Sequence, residues 1–273
     1  MIYLRLAGGL GNQIFQLAAA LSVSKANKEK IVLYSKSLKK YKVSRDFKLS
    51  FLGFTDFKKI KSKHKIILKF RLGKFLSLCS NSFISDQNFL LRNFKKTVFL
   101  DGYFHDIKKV NSGMLNLKKR YSKINIKNIL DKLNLKIDFE NDVAVHVRRG
   151  DYNSEKNRKI YKYLGYEYYK TSLEKMDYRN VYIFCTEQID FILDNNQVEM
   201  YNYKLNDVED FMLMSKFKKI IISNSTFAFC SAFFSQYNDK FVVAPKEYYV
   251  DKKQNKLWLE NYKDSKFIVN NKI

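Results

Sequence analysis

The chain has 273 residues, 46% of them hydrophobic, which is enough for one large core or two smaller domains. Its longest apolar stretch near the C-terminus, residues 227–234, is too short to cross a bilayer, and no charged leader precedes an apolar run at the N-terminus. The formal net charge of +24 draws phosphates, nucleic acid or anionic lipid, yet the lysines run along the whole chain rather than gathering on one face as in a nucleic-acid domain.

Residues 2–6 read as a β-strand, and Ala7-Gly8-Gly9-Leu10-Gly11-Asn12 as a tight glycine loop. Residues 13–26 read as a helix with Ile14, Leu17, Ala18, Leu21 and Ala26 near one stripe, and 31–34 as a second strand. This β-loop-α-β order opens a doubly wound sheet. Gly8, Gly9 and Gly11 do not match the dinucleotide spacing, and Tyr34-Ser35-Lys36 offers no acid for a ribose, so a nicotinamide or flavin site is not expected. Residues 61–79 form a basic amphipathic segment with two readings: a helix packed on its own domain, or one lying on an anionic membrane face. A strand at 97–100 and a helix at 107–121 come next, then a polar stretch at 122–141 that ends the first domain.

The alternation resumes with strands at 143–147, 181–185, 219–222 and 241–244, and helices at 166–176, 189–195, 207–214 and 227–234. The expected domains are 1–140 and 141–273, with the last residues able to pack back on the first. Cys79, Cys185 and Cys230 lie far apart without metal spacing and read as reduced residues of a cytosolic protein.

Two stretches carry chemistry. His146-Val147-Arg148-Arg149-Gly150-Asp151-Tyr152 leaves the carboxyl end of a strand, where ligands of α/β sheets collect. Arginine suits a phosphate because its planar fork makes two charge-assisted hydrogen bonds, and adjacent side chains on an extended segment point apart. One arginine is therefore expected to face a ligand and the other to brace the loop. Ser223-Asn224-Ser225-Thr226-Phe227 lies between a strand and a helix, where hydroxyls cap and free N–H groups hold anions. Asp207, Glu209 and Asp210 suit the positive end of the helix they start. No D-x-D triplet occurs, so no metal clamp on a diphosphate is expected.

With Gly8-Gly9-Leu10-Gly11-Asn12-Gln13-Ile14-Phe15-Gln16, Glu209-Asp210-Phe211 and Ile221-Ile222-Ser223-Asn224-Ser225-Thr226-Phe227 in that order around the arginine stretch, the chain resembles the α-1,2-fucosyltransferases of glycosyltransferase family 11. The resemblance implies a GT-B-like α/β enzyme: two Rossmann-like domains whose parallel sheets face a central cleft. It implies GDP-fucose as donor substrate, with no cofactor and no metal, and inversion as the sugar passes to the 2-hydroxyl of a galactoside in a surface glycan. It places Arg148 on the β-phosphate, Ser225, Thr226 and the backbone of Phe227 on the same diphosphate, and His146 and Asp151 in the nucleotide pocket. Gly9, Gly11, Asn12 and Gln13 would line the acceptor side. Where the family tends to Ser-Asp-Asp, this chain has Thr186-Glu187-Gln188, so a guanine contact would fall to Glu187. Where it carries serine and paired tryptophans, this chain has Ala228-Phe229-Cys230. Glu155 and Asp151 are the carboxylates near the arginines, with Glu155 the candidate general base and an unassisted displacement the alternative. The other readings are transfer of a different GDP-deoxysugar such as colitose, a basic nucleic-acid-binding protein, and a cytoplasmic enzyme resting on the inner membrane face; a nucleic-acid partner is not expected.

Overall fold

The computed structural model describes residues 1–40, 45–55, 83–85 and 97–271. The basic segment at 61–79, with Cys79, lies outside the described residues. The chain divides into two compact units, Met1–Lys123 and Ile124–Ile273.

The first unit is built on a parallel sheet of β1 (Ile2–Arg5), β2 (Ile31–Tyr34), β3 (Phe83–Ile84) and β4 (Val98–Leu100), in the order β2-β1-β4-β3. Helix α1 (Leu10–Asn27) starts at the glycine loop, three residues earlier than the hydrophobic stripe predicts, and ends on Lys28 in the left-handed conformation. It is buried along nearly its whole length because α2 (Ile107–Tyr121) packs against it. That approach needs Gly113, where a Cβ would overlap the Ala18 carbonyl. Ser22 fills the polar side of the contact: its Oγ accepts from the Gly113 N–H at 2.9 Å and from Ser112 Oγ at 3.0 Å.

The second unit carries six parallel strands: β5 (Val143–His146), β6 (Val181–Phe184), β7 (Val198–Glu199), β8 (Lys219–Ile221), β9 (Phe241–Pro245) and β10 (Ile268–Asn270). Their order is β10-β9-β8-β5-β6-β7. The central strands are apolar runs because such a sheet is covered on both faces. Helix α3 (Lys127–Leu133) forms within the polar stretch at 122–141, where no element is expected, and it belongs to this unit. Helices α4 (Tyr166–Leu173), α5 (Asp207–Met214), α6 (Thr226–Phe233) and α7 (Asn255–Asp264) complete it.

One expectation needs correction here. The helix expected at 189–195 does not form. Asp194 Oδ1 accepts from the Asn196 N–H (2.8 Å) and Gln197 Oε1 from the Leu193 N–H (2.8 Å), so side chains take the backbone groups a helix would use. Near the C-terminus β10 pairs with β9, and the buried Asn270 amide donates to Thr171 Oγ1 (3.0 Å) and Ser172 Oγ (2.9 Å). At the sequence departure at 228–230, Phe229 packs edge-on to Trp258 (centroids 5.6 Å apart) and against Phe267 (5.4 Å).

Candidate active site

Strand order locates the site before any side chain is considered. From β5 the chain proceeds outward through β6 to β7, then crosses back to β8 on the other side of β5. The carboxyl ends of β5 and β8 therefore flank a topological switch point, where neighbouring connections diverge and leave a crevice. Val145 pairs with Ile221, so the arginine loop and the serine-threonine turn emerge side by side.

His146 ends β5 at this switch point. It is 7% exposed, its Nδ1 lies 2.8 Å from Ser223 Oγ, and its ring sits 5.4 Å from that of Phe227. Burial, followed by the nearby charge of Arg148, pushes its pKa down to about 3. The imidazole is therefore neutral near pH 7, fit to hydrogen-bond but not to hold positive charge.

The two arginines have different surroundings. Arg149 is 4% exposed and braces the loop. Its guanidinium donates to the Leu164 carbonyl (3.1 Å) and lies over the rings of Tyr163 (4.6 Å) and Phe191 (5.4 Å). Arg148 is half-buried, with its guanidinium 4.8 Å over the ring of Tyr152. Tyr152 in turn ties the two loops together, since its hydroxyl donates to the Asn224 carbonyl at 3.3 Å. Behind it Tyr152 stacks on Tyr161 (4.3 Å, 13°), and Tyr161 stacks on Tyr249 (5.5 Å, 29°). Asn224 holds the turn from its own side, donating to the carbonyls of Lys162 (2.6 Å) and Tyr248 (2.9 Å).

Ser225 occupies the cap position of α6 in an extended conformation, but its side chain makes no capping hydrogen bond. The first-turn N–H groups of Thr226, Phe227 and Ala228 are thus not closed off by a serine cap, and they sit at the positive end of the helix dipole. Thr226 and Phe227 are half-buried at that end.

The other sequence candidates divide. The Glu187 carboxylate accepts from the Gly150 N–H at 2.6 Å, and Gly150 has the left-handed φ of 56° that this sharp loop needs. Glu187 thus holds the loop that presents Arg148. Asp151 has its backbone in the 3-10 turn Gly150–Asn153, while its side chain lies outside the described residues. Glu155 is not drawn toward the arginines. It is 87% exposed and pairs with Lys159 at 2.8 Å, an i,i+4 surface pair on the helical turn Glu155–Arg158. In the first unit, Gly9 and Asn12 are partly exposed at the start of α1, whereas Gly11 and Gln13 are buried. Gln13 donates to the carbonyls of Gly8 (3.1 Å) and Asp46 (2.9 Å) and accepts from the Lys48 N–H (3.1 Å), which makes it a loop brace.

Sequence reasoning missed Tyr152 as a link, Tyr161, Asn224 and Asp210. The capping box of α5 is complete without Asp210, since Asn206 and Glu209 bond reciprocally. Burial, then the adjacent charges of Asp207 and Glu209, raises the Asp210 pKa to about 7. Its neighbour Phe211 sets its ring edge against Phe227 at 5.7 Å. The signal for Asp210 was a third acid where the helix dipole needs fewer. Among the described residues no group of three His, Cys, Asp or Glu side chains gathers into a metal site.

The chain is similar to known proteins along most of its length. The chain is 29% identical over 269 residues to an Escherichia coli alpha-1,2-colitosyltransferase, covering 91% of this chain and 92% of the relative. It is 26% identical over 300 residues to the Escherichia coli O-antigen biosynthesis glycosyltransferase WbnK, covering 96% and 99%. A solved structure of NodZ alpha-1,6-fucosyltransferase soaked with GDP-fucose aligns with 86% of this chain and 91% of its own, at 13% identity and a TM-score of 0.46, a likeness too slight to bear on the site. The model of glycosyl transferase family 11 matches residues 1–267, and the chain belongs to that family.

Proposed function

We propose that the protein transfers a 6-deoxyhexose from a GDP-sugar to the 2-hydroxyl of a galactoside within a surface glycan, with inversion at the anomeric carbon. L-Fucose is the first reading of the sugar. Colitose is the second, favoured by the colitosyltransferase relative. The observation that carries the reading is the junction at the β5/β8 switch point, where Arg148 and the start of α6 are joined through Tyr152 and Asn224.

In the reaction the acceptor oxygen bonds to the anomeric carbon as the bond from that carbon to the β-phosphate oxygen breaks. The bonding pair leaves with GDP, and the hydroxyl proton goes to solvent or to a base. Negative charge grows on the departing diphosphate. A guanidinium fixed on an aromatic ring, and N–H groups fixed by a helix, meet that charge without reorganising, so they favour the transition state over bound substrate. The proposal takes GDP-sugar and glycan as partners, with no nucleic acid and no cofactor. His146, uncharged, shapes the nucleotide pocket. Among the described residues no helix is long and apolar enough to cross a membrane; action at the inner membrane face belongs to the proposal.

The test combines nucleotide binding with transfer. GDP, and not UDP or ADP at equal concentration, raises the melting temperature by mass action. GDP-fucose or GDP-colitose then labels one member of a panel of β-galactosides. A protein that GDP does not stabilise, and that moves neither sugar to any of the panel, refutes the reading.

A further inference from the structure

The first unit has a switch point of its own. Its chain leaves β1 toward β2 on one side and returns to β4 on the other. The loops after β1 and β4 are bound together there. Buried Gln16 accepts from the Ala7 N–H (3.0 Å) and donates to the Gly102 carbonyl (3.0 Å), while Arg5 pairs with Asp101 at 3.2 Å. A ligand-binding edge is thus built and braced, as in the second unit, but its chemistry differs.

Aromatic side chains are presented at this edge. Tyr103 is 38% exposed and stacks on His105, centroids 5.4 Å apart and 21° between planes. His105 lies edge-on to buried Phe15 at 5.2 Å, and its Nε2 lies 3.0 Å from Asn12 Oδ1. Between the two rings Phe104 is buried in the left-handed conformation, φ 57°. Backbone strain of that kind in a non-glycine residue gathers at ligand sites, where the surrounding structure enforces it. The guanidinium at this edge is neutralised by Asp101, so the edge is poorly suited to a phosphate. A wet aromatic face beside an amide and an imidazole suits a pyranose instead: C–H groups of the sugar lie on the ring, and its hydroxyls meet the polar atoms.

We infer that Tyr103, His105 and Asn12 form the binding site for the neutral glycosyl acceptor, a hexopyranoside. The inference deepens the transferase reading and rests on it. It adds Tyr103 and His105, at the end of β4, to the glycine-loop residues, and it assigns the aromatic ring as the platform that selects a sugar.

The test uses the full-length enzyme, GDP-fucose or GDP-colitose, and whichever β-galactoside of a panel the wild type accepts. Tyr103→Ala is expected to raise the acceptor KM about tenfold or more with donor KM within about twofold, and to abolish the saturation-transfer NMR signal of the acceptor. Tyr103→Phe, which keeps the ring, is expected to restore most of both. His105→Ala should raise acceptor KM, and His105→Gln, which can still bond Asn12, less so. Tyr103 is a surface side chain, so these variants are expected to fold, and a melting temperature matching the wild type checks it. If the wild type transfers sugar and acceptor KM stays unmoved in both Tyr103→Ala and His105→Ala, the acceptor site is overturned while the donor reading stands. If the wild type neither responds to GDP nor transfers, the donor reading fails and this inference falls with it.

Discussion

Replacing Arg148 separates an anion-binding role from a structural one. The guanidinium is half-buried on the Tyr152 ring, with the Tyr152 hydroxyl bonded to the turn that starts α6. If Arg148 meets the β-phosphate with two prongs, Arg148→Ala removes two charge-assisted hydrogen bonds, each contributing about 1.5–3 kcal/mol. Part of that is already present in bound substrate. The remainder, about 3–4 kcal/mol, corresponds to roughly a 10²- to 10³-fold fall in kcat, with kcat/KM for the donor falling by at least as much. Arg148→Lys keeps the charge but loses one prong and the flat stack, so a fall of about 10- to 100-fold is expected. The loss should show more in kcat than in donor KM, because the interaction strengthens as charge develops on the leaving group. If Arg148 only staples the turn, its contribution is the cation–π contact, about 0.5–1 kcal/mol at a partly exposed site. That would appear as a small drop in melting temperature with turnover nearly intact. The assay is steady-state transfer with the donor varied, beside thermal melts with and without GDP. An Arg148→Ala enzyme whose kcat/KM stays within about threefold of wild type, and whose GDP-induced stabilisation is unchanged, would falsify the diphosphate role.

Three other substitutions probe neighbouring groups. Glu155→Gln is expected to leave kcat within about twofold, because the carboxylate is on the surface with Lys159; a hundredfold loss would restore it as the base. His146 titrates at about 3 when folded, against about 6.5 when unfolded, so the stability tied to its neutral form is present above pH 6.5 and lost as pH falls toward 3. Urea denaturation of wild type and His146→Gln across pH 6.5 to 4 should show the wild type losing stability more steeply, by up to about 1.4 kcal/mol per pH unit; parallel curves would show that His146 is not held neutral by burial. Asp210 is shifted the other way, to about 7, so its contribution is fully present below pH 4 and lost as pH rises through 7. Asp210→Asn should therefore be more stable relative to wild type at pH 8 than at pH 4, and a difference that does not change with pH counts against the buried carboxyl.

The strands and the anion loops are legible in the sequence because each is a local pattern. Parallel strands covered on both faces are short apolar runs, and Val143–His146, Val181–Phe184, Lys219–Ile221 and Phe241–Pro245 all stand out as such. Helix α7 and strand β10, beyond β9, do not stand out in the same way. Trp258 and Tyr262 fall four apart on one face of α7, but the lysines and asparagines around them mask the stripe. At 189–195 the reverse holds: apolar residues at helical spacing give way to local side-chain bonds from Asp194 and Gln197. Within the site, the heptad and the serine-threonine turn are legible, and so is the expectation that the two arginines differ. Which arginine braces the loop is not, since that depends on Tyr163, Leu164 and Phe191 meeting Arg149 in three dimensions. The Tyr152-Tyr161-Tyr249 stack is invisible for the same reason, as it joins residues whose spacing obeys no helical or strand period.

Total charge explains little of this arrangement; the use made of each arginine explains more. Both units end a strand with an arginine committed to architecture. Arg5 is paired with Asp101 at the end of β1, and Arg149 is bonded to the Leu164 carbonyl just past β5. In the second unit a further arginine, Arg148, precedes the bracing one and lies on Tyr152 beside an uncapped helix start. In the first unit β1 has no such addition; the chain continues into glycines, and the end of β4 supplies Tyr103 and His105 instead. The same rule of strand order thus makes two switch points, and on the proposed function the residues placed at each set its ligand: positive charge with helix N–H groups for a diphosphate, an aromatic face with polar atoms for a sugar.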